Sequence, residues 1–116
     1  MRRFPGFSTS VSGGRLGWRG CLQSALPQGR RYLVHVTYPE CFPDEPPIVS
    51  IRHPVLPGEG VPHLLSGQRP CLYHGGYRDG YDPARTTAAT LVAWTALWIH
   101  AFETFQATGT WPGAED

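Results

Sequence analysis

The chain has 116 residues, enough for one domain whose core buries about two-thirds of the surface that the unfolded chain exposes. Its formal net charge is +1, so the composition gives no sign of a surface that attracts nucleic acid or an anionic membrane. No apolar run approaches the ~20 residues of a transmembrane helix. Three cysteines at irregular spacing favour a reducing compartment over a disulfide framework. We therefore expect one domain over residues 1–116 in the cytoplasm.

Three strands are predicted in the first half of the chain. Residues 1–14 are rich in Gly and Ser and have no helical period, so we expect them to be irregular or flexible. Residues 16–22 are predicted to form the first strand, and residues 31–38, rich in β-branched and aromatic side chains, the second. Residues 48–52 form the third. Strands this close in sequence indicate a short antiparallel meander of three or four strands.

The segment between the second and third predicted strands is unusually rich in proline. Residues 38–47 read Tyr-Pro-Glu-Cys-Phe-Pro-Asp-Glu-Pro-Pro, with aromatic residues and prolines at a fixed spacing. A proline cannot donate a hydrogen bond to a sheet, and it restricts the conformation of the residue before it. We therefore predict a stiff, extended connector rather than a helix or a flexible loop.

The second half of the chain is predicted to hold a long loop and one long helix. Residues 54–80 contain many turn-forming Gly and Pro residues, and so long an irregular segment within a domain is usually functional or mobile. Residues 86–106 lack Gly and Pro and repeat apolar residues at helical spacing. Thr86 or Thr87 would cap this helix, and Gly109 would end it. Strands followed by one helix that packs on their sheet predict an α+β fold.

The proline connector is the first of several motifs that resemble ubiquitin-conjugating enzymes in their order along the chain. After it come His53-Pro54, then Cys71-Leu72, then Tyr-Asp-Pro-Ala-Arg-Thr at residues 81–86, directly before the helix. Each motif alone is weak, whereas the ordered set, over roughly residues 30–106, is specific. The ending Thr-Gly-Thr-Trp-Pro-Gly at residues 108–113 further resembles a bacterial branch of the family, found beside nucleotidyltransferases in antiphage CBASS operons.

The resemblance implies the ubiquitin-conjugating (UBC) fold and an enzyme whose cysteine carries an acyl group as a thioester. Cys71 stands at the position of that cysteine, and a thiol is nucleophilic near neutral pH and leaves well. His74 could polarise the thiol, the amine or the oxyanion, and Asp82 or Asp79 could help to deprotonate the attacking amine. Structural alternatives are a small buried side chain for Cys71, a surface histidine for His74 and a helix cap for Asp82.

The chain departs from the family pattern at four places. Val55 follows His53-Pro54 where the family has an Asn that supports the oxyanion of the attack step. The segment from there to Cys71 is longer than in the usual enzymes. Residues 1–14 cannot form the N-terminal helix that an activating enzyme grips, and Asp44 replaces an aromatic anchor for RING-type ligases. These departures favour a dedicated partner over a general ubiquitin relay.

Two functions from different classes follow from these residues. The first is an acyltransferase that accepts the C-terminal tail of a ubiquitin-like protein or of a cyclic-oligonucleotide synthase (CD-NTase) on Cys71 and conjugates it to an amine of an acceptor protein, in antiviral signalling. The second is a catalytically inactive UBC-fold module that only binds such a partner. A Cys-His hydrolase using Cys71 with His74 or His100 is weaker, since residues three apart on one loop form a poor triad. No cofactor is implied, and the five histidines show no metal-binding spacing.

Overall fold

The computed structural model describes residues 3–24, 29–72 and 81–112. Its main sheet has four antiparallel strands in the order β1-β2-β3-β4, at Ser8–Ser12, Arg15–Gln23, Arg31–Thr37 and Ile48–His53. A two-stranded hairpin follows, with β5 at Leu64–Leu65 and β6 at Arg69–Pro70. One long helix in the described part of the chain, α1, spans Ala88–Thr108. The predicted α+β arrangement of an antiparallel meander and a long C-terminal helix is confirmed.

The first strand corrects the expectation that residues 1–14 are irregular. Residues 8–12 pair with β2, and the turn between the two strands contains Gly13 and Gly14, which have φ values of 59° and 78°. Both glycines occupy the left-handed region that other residues avoid. β1 is a largely exposed edge strand rich in serine, so it lacks the apolar alternation that reveals a strand in sequence. The described residues 3–24 contain no helix, in agreement with the prediction.

The core lies between one face of the main sheet and α1. Side chains alternate along β3, and Tyr32, Val34 and Val36 have no exposed surface. They belong to one apolar cluster with Val49 and Ile51 of β4. The helix contributes its buried face to the same cluster, through Leu91, Val92, Trp98, Ile99 and Phe102. This layer fixes the helix against the sheet and thereby positions the segments at its ends.

Both ends of α1 are closed by local hydrogen bonds. Thr87 is the N-cap, because its hydroxyl accepts a hydrogen bond from the Thr90 amide and the Thr90 hydroxyl accepts one from the Thr87 amide. Gly109 adopts φ 78° and donates its N–H to the carbonyl of Phe105 at 2.7 Å. The predicted cap and stop are confirmed, and the helix extends to Thr108.

A buried carboxylate joins α1 to the sheet. Glu103 is only 9 % exposed and accepts a hydrogen bond from the Tyr32 hydroxyl at 2.8 Å. It also accepts a hydrogen bond from the hydroxyl of Ser24, just after β2. These bonds compensate the carboxylate for the water that it loses on burial.

The proline connector is a compact turn over part of its length. The Phe42 amide donates to the carbonyl of Pro39 at 3.1 Å, and the Glu45 amide donates to the carbonyl of Cys41 at 3.0 Å. The rings of Tyr38 and Phe42 pack with their centroids 4.6 Å apart. The prediction of an extended connector is therefore wrong over residues 40–44, because the fixed φ of proline suits a tight turn as well as an extended chain.

Candidate functional site

Cys71 follows β6 directly, and its backbone is held by the segment before the hairpin. The Cys71 amide donates to the carbonyl of His63 at 2.8 Å. The indole N–H of Trp98, on α1, donates to the same carbonyl at 3.0 Å. His63 adopts φ 58° and packs its ring on Trp111, with the centroids 5.1 Å apart. The His63 carbonyl thus links Cys71 to α1. The His63 ring links the same segment to Trp111, which follows the helix.

A glutamine side chain organises the long segment that leads to Cys71. The Gln68 amide oxygen accepts from the Leu56 amide at 2.5 Å, and the Gln68 amide nitrogen donates to the Leu56 carbonyl at 3.2 Å. The backbone carbonyl of Gln68 accepts from the Ile51 amide of β4 at 2.9 Å. The Gln68 side chain therefore joins the hairpin to the loop at Leu56, and the Gln68 carbonyl joins it to the edge strand β4.

Cys71 lines an open groove of about 350 Å³. The groove is lined by residues 45–49, at the end of the connector and the start of β4, and by Leu65 with residues 69–72. Most of the lining side chains are apolar, and the exceptions besides Cys71 are Glu45 and Arg69, which have opposite charges. The volume is near the lower end of the ~300–1,000 Å³ typical of ligand sites. It suits a short extended segment rather than a folded domain.

Tyr81 joins two of the sequence motifs in space. Its hydroxyl donates to the carbonyl of Pro43 in the proline connector at 2.6 Å. Loss of hydration raises the pKa of Tyr81, and the negative charges of Asp44 and Asp82 raise it further. The phenol therefore keeps its proton and remains a donor at neutral pH. The segment before α1 is fixed to the connector that also lines the groove.

Asp82 shapes the turn that leads into α1. Its Oδ1 accepts from the Ala84 amide at 2.9 Å, and its Oδ2 lies 3.8 Å from the Nε of Arg85. The Asp82 backbone closes the turn with Thr86, through an amide-to-carbonyl bond of 2.7 Å and an amide-to-hydroxyl bond of 3.0 Å. The side chain of Asp82 is 52 % exposed, so its carboxylate remains accessible to a proton from solvent or from an amine. Asp82 does not cap α1, since Thr87 is the N-cap; its carboxylate instead holds the turn before the helix and stays accessible.

The family comparison decides what this arrangement belongs to. The E2-CBASS family, described as type II CBASS E2 protein, matches residues 1–116. The chain belongs to this family. Membership gives the E2-CBASS chain an E2-like role in CBASS antiphage signalling and confirms the bacterial resemblance read from the sequence. No curated protein and no solved structure matches the chain.

The predicted site residues of this CBASS E2 protein fall into two groups. Cys71 and Asp82 are described, whereas His74 and Asp79 lie in residues 73–80, outside the described part of the chain. Cys71 is half-buried, while Cys21 and Cys41 are exposed. Exposure alone therefore predicts that a thiol-alkylating reagent modifies Cys21 and Cys41 faster than Cys71. Faster modification of Cys71 would show that its surroundings activate the thiol.

Three residues that position Cys71 were not found by sequence reasoning. Trp98 is one of the apolar residues at helical spacing, a pattern that indicates only a buried helix face, although a buried tryptophan usually finds a partner for its N–H. His63 and Gln68 carried no signal, because their contribution depends on backbone atoms that meet only in the folded chain. The Ser66-Gly67 dipeptide is a turn signal that could have indicated the β5–β6 hairpin.

Residues 3–24, 29–72 and 81–112 contain neither a metal-binding cluster nor a membrane-spanning helix. No three His, Cys, Asp or Glu side chains in these ranges are grouped so that they could hold a metal ion. Within the same ranges, no helix combines the length and the apolar character needed to cross a membrane.

Proposed function

We propose that this protein carries the C-terminal acyl group of a partner protein on Cys71 as a thioester and then transfers it to an amine. The observation that supports this most strongly is the placement of Cys71 in the wall of an apolar groove, with its backbone held through the His63 carbonyl. The E2-CBASS family supports a conjugating role. The proposed acyl donor is the CD-NTase of the same operon or a ubiquitin-like protein, and the proposed acceptor is an amine of another protein.

The proposed chemistry has two steps, and the first needs an activated donor. The acyl group arrives as an acyl-adenylate or as a thioester on another protein. The Sγ of Cys71 attacks the carbonyl carbon and forms a carbon–sulfur bond. The bond to AMP or to the donor sulfur breaks, and the thiol proton passes to the leaving group or to water. The tail is then held covalently at the groove.

In the second step the acceptor nitrogen attacks the thioester carbon. An amide forms, the bond to Sγ breaks, and Cys71 leaves as a thiolate. The nitrogen must lose a proton, for which the accessible Asp82 carboxylate is the proposed acceptor. His74 is the proposed polarising group for the thiol or the oxyanion. These roles together make the protein a cysteine-dependent acyltransferase.

The second candidate function is a binding module that holds the same partner without chemistry. The observation that favours it is Val55, which is 77 % exposed and stands where the family has a supporting Asn. A valine cannot donate a hydrogen bond to an oxyanion. In this case Cys71 would be a wall residue of a docking groove.

Co-expression with the complete CBASS operon, so that the CD-NTase and any partner that activates its C-terminus are present, tests the acyltransferase. Wild type should give an adduct that dithiothreitol cleaves, since a thiol exchanges with a thioester. Cys71→Lys should give an adduct that resists thiols, because an amide does not exchange. The natural chain has no lysine, so the substitution supplies its only side-chain amine and peptide mapping is unambiguous.

Cys41→Lys is the matched control, because Cys41 is exposed and does not line the groove. It should give no thiol-resistant adduct. If neither wild type nor Cys71→Lys forms an adduct while the two proteins copurify, the acyltransferase is excluded and the binding module is correct.

A further inference from the structure

We propose that the groove beside Cys71 selects its acyl donor by an apolar side chain close to the donor's C-terminus. This rests on the proposed function, in which Cys71 carries the tail of a partner. It adds a specificity site formed by Ile48 and Leu65, two apolar residues that line the same groove as the thiol.

The exposure of the groove residues is the first support. Ile48 and Leu65 are large apolar side chains that line the groove and remain 39 % and 49 % exposed. Pro47 and Val49, also in the lining, are buried and supply a fixed apolar floor. Covering Ile48 and Leu65 with an apolar side chain removes all three from water, which is favourable in proportion to the area covered.

The covalent bond between the donor tail and Cys71 supplies the second support. A tail bound to Sγ of Cys71 must leave the thiol along the wall that contains it, so the residues next to the acyl carbon pass within reach of the groove. The residue that bears the acyl carbon should be small, because the chain approaches the protein backbone there. An apolar side chain a few residues earlier then falls between Ile48 and Leu65.

The two charged side chains favour a peptide over an alkyl chain as the occupant. Glu45 and Arg69 lie in the lining, and the Nε of Arg69 donates to the Ser66 carbonyl at 3.0 Å. Methylene groups placed over these charges would remove water from them without replacing its hydrogen bonds. A peptide offers N–H groups to the carboxylate and carbonyl groups to the guanidinium. Because the two charges have opposite signs, they give no net preference for a charged peptide, and apolar contact decides which peptide binds best.

Chemically activated peptides test the groove without the natural donor. The probes are short glycine-terminated peptides prepared as thioesters of 2-mercaptoethanesulfonate, with one leucine at successive positions among serines, and an all-serine peptide. Cys71 Sγ takes the acyl group, and mercaptoethanesulfonate leaves as a thiolate. Mass spectrometry follows acylation at peptide concentrations below saturation. We expect a leucine at one position to accelerate acylation about tenfold relative to the all-serine peptide. This factor corresponds to the free energy gained by partly burying a leucine side chain.

Two variants remove this preference and a third serves as the control. Leu65→Asp and Ile48→Asp should reduce the leucine advantage, taken as the ratio of the leucine-peptide rate to the all-serine rate within each variant, to less than about twofold. Leu97→Asp makes the same change at a 69 % exposed position on α1 outside the groove lining, and it should keep the full advantage. Equal rates for all peptides in the wild type, or an unchanged preference in both groove variants, would overturn the specificity site.

A binding measurement separates failure of the proposed acyltransferase from failure of the proposed specificity site. If Cys71 accepts no peptide, the acyltransferase fails, and fluorescence anisotropy with the carboxylate forms of the peptides on the Cys71→Ser variant then tests the groove alone. About tenfold tighter binding of the leucine peptide, lost in Leu65→Asp, supports the groove. Equal binding of the leucine and serine peptides rejects it.

Discussion

The hydrogen bond between Tyr32 and Glu103 provides a test of how α1 is held on the sheet. The change Tyr32→Phe removes one hydroxyl from a side chain that has no exposed surface and leaves the ring in place. The hydroxyl donates to the Glu103 carboxylate at 2.8 Å. After the change, the carboxylate keeps the Ser24 hydroxyl as a donor but loses the buried one.

The charge of the Glu103 carboxylate determines how much stability we expect Tyr32→Phe to lose at neutral pH. Hydrogen bonds to charged groups contribute roughly 1.5–3 kcal/mol, about twice the value for neutral pairs. We therefore expect Tyr32→Phe to lower the free energy of unfolding by about 2 kcal/mol and the melting temperature by about 5–10 °C. Tyr38→Phe is the matched control, because the Tyr38 hydroxyl accepts a hydrogen bond from the neutral indole of Trp18 at 3.1 Å. Its loss should be about 1 kcal/mol or less.

The same bond predicts how stability changes in alkali. Burial raises the pKa of Tyr32 above its ordinary value near 10, and the hydrogen bond to Glu103 and its charge raise it further. Because the folded pKa exceeds the unfolded one, the stabilisation is complete below pH 10 and falls as the pH rises above it. Between pH 9 and 11, wild type should lose about 1.4 kcal/mol more than Tyr32→Phe. The chain has no lysine, so no lysine titrates across this window.

Urea unfolding followed by circular dichroism at pH 7, 9 and 11 measures both effects. The difference between wild type and Tyr32→Phe should narrow as the pH rises. Parallel losses in the two proteins from pH 9 to 11, or a difference at pH 7 below about 0.5 kcal/mol, would refute a buried charged hydrogen bond between β3 and α1.

Two further changes test how the site is positioned. Trp98→Phe removes the donor to the His63 carbonyl that also holds the Cys71 amide, so acylation of Cys71 should slow and stability should fall by about 2 kcal/mol. Trp18→Phe also removes an indole donor, but it should lower stability without slowing acylation, and equal slowing in both variants would exclude positioning through His63. Asp82→Asn keeps an oxygen for the Ala84 amide but removes the carboxylate that is proposed to act as the base. Transfer from the thioester to an amine should fall about a hundredfold with thioester formation unchanged, whereas equal loss of both steps would mean that Asp82 acts only in the turn.

Local signals in the sequence were sufficient for the principal elements. The β-branched and aromatic residues of β3, the Thr87 cap and the Gly109 stop each act within a few residues, so the sequence alone predicts them correctly. The ordered motifs around Cys71 were sufficient to predict the family, because they preserve both residue type and spacing.

Contacts between distant residues were decided only by the tertiary structure. Gly20 lies within β2, where a side chain would meet the ring of Phe7, so the glycine allows Phe7 to pack on the sheet. The His63 carbonyl acquires its importance because Trp98 and Cys71, far apart in sequence, both donate to it. The groove likewise requires the end of the connector, the start of β4 and the β5–β6 hairpin to come together at Cys71. Backbone carbonyls and exposed apolar side chains have no distinctive residue pattern, so only the packing of the sheet, hairpin and helix determines where they meet.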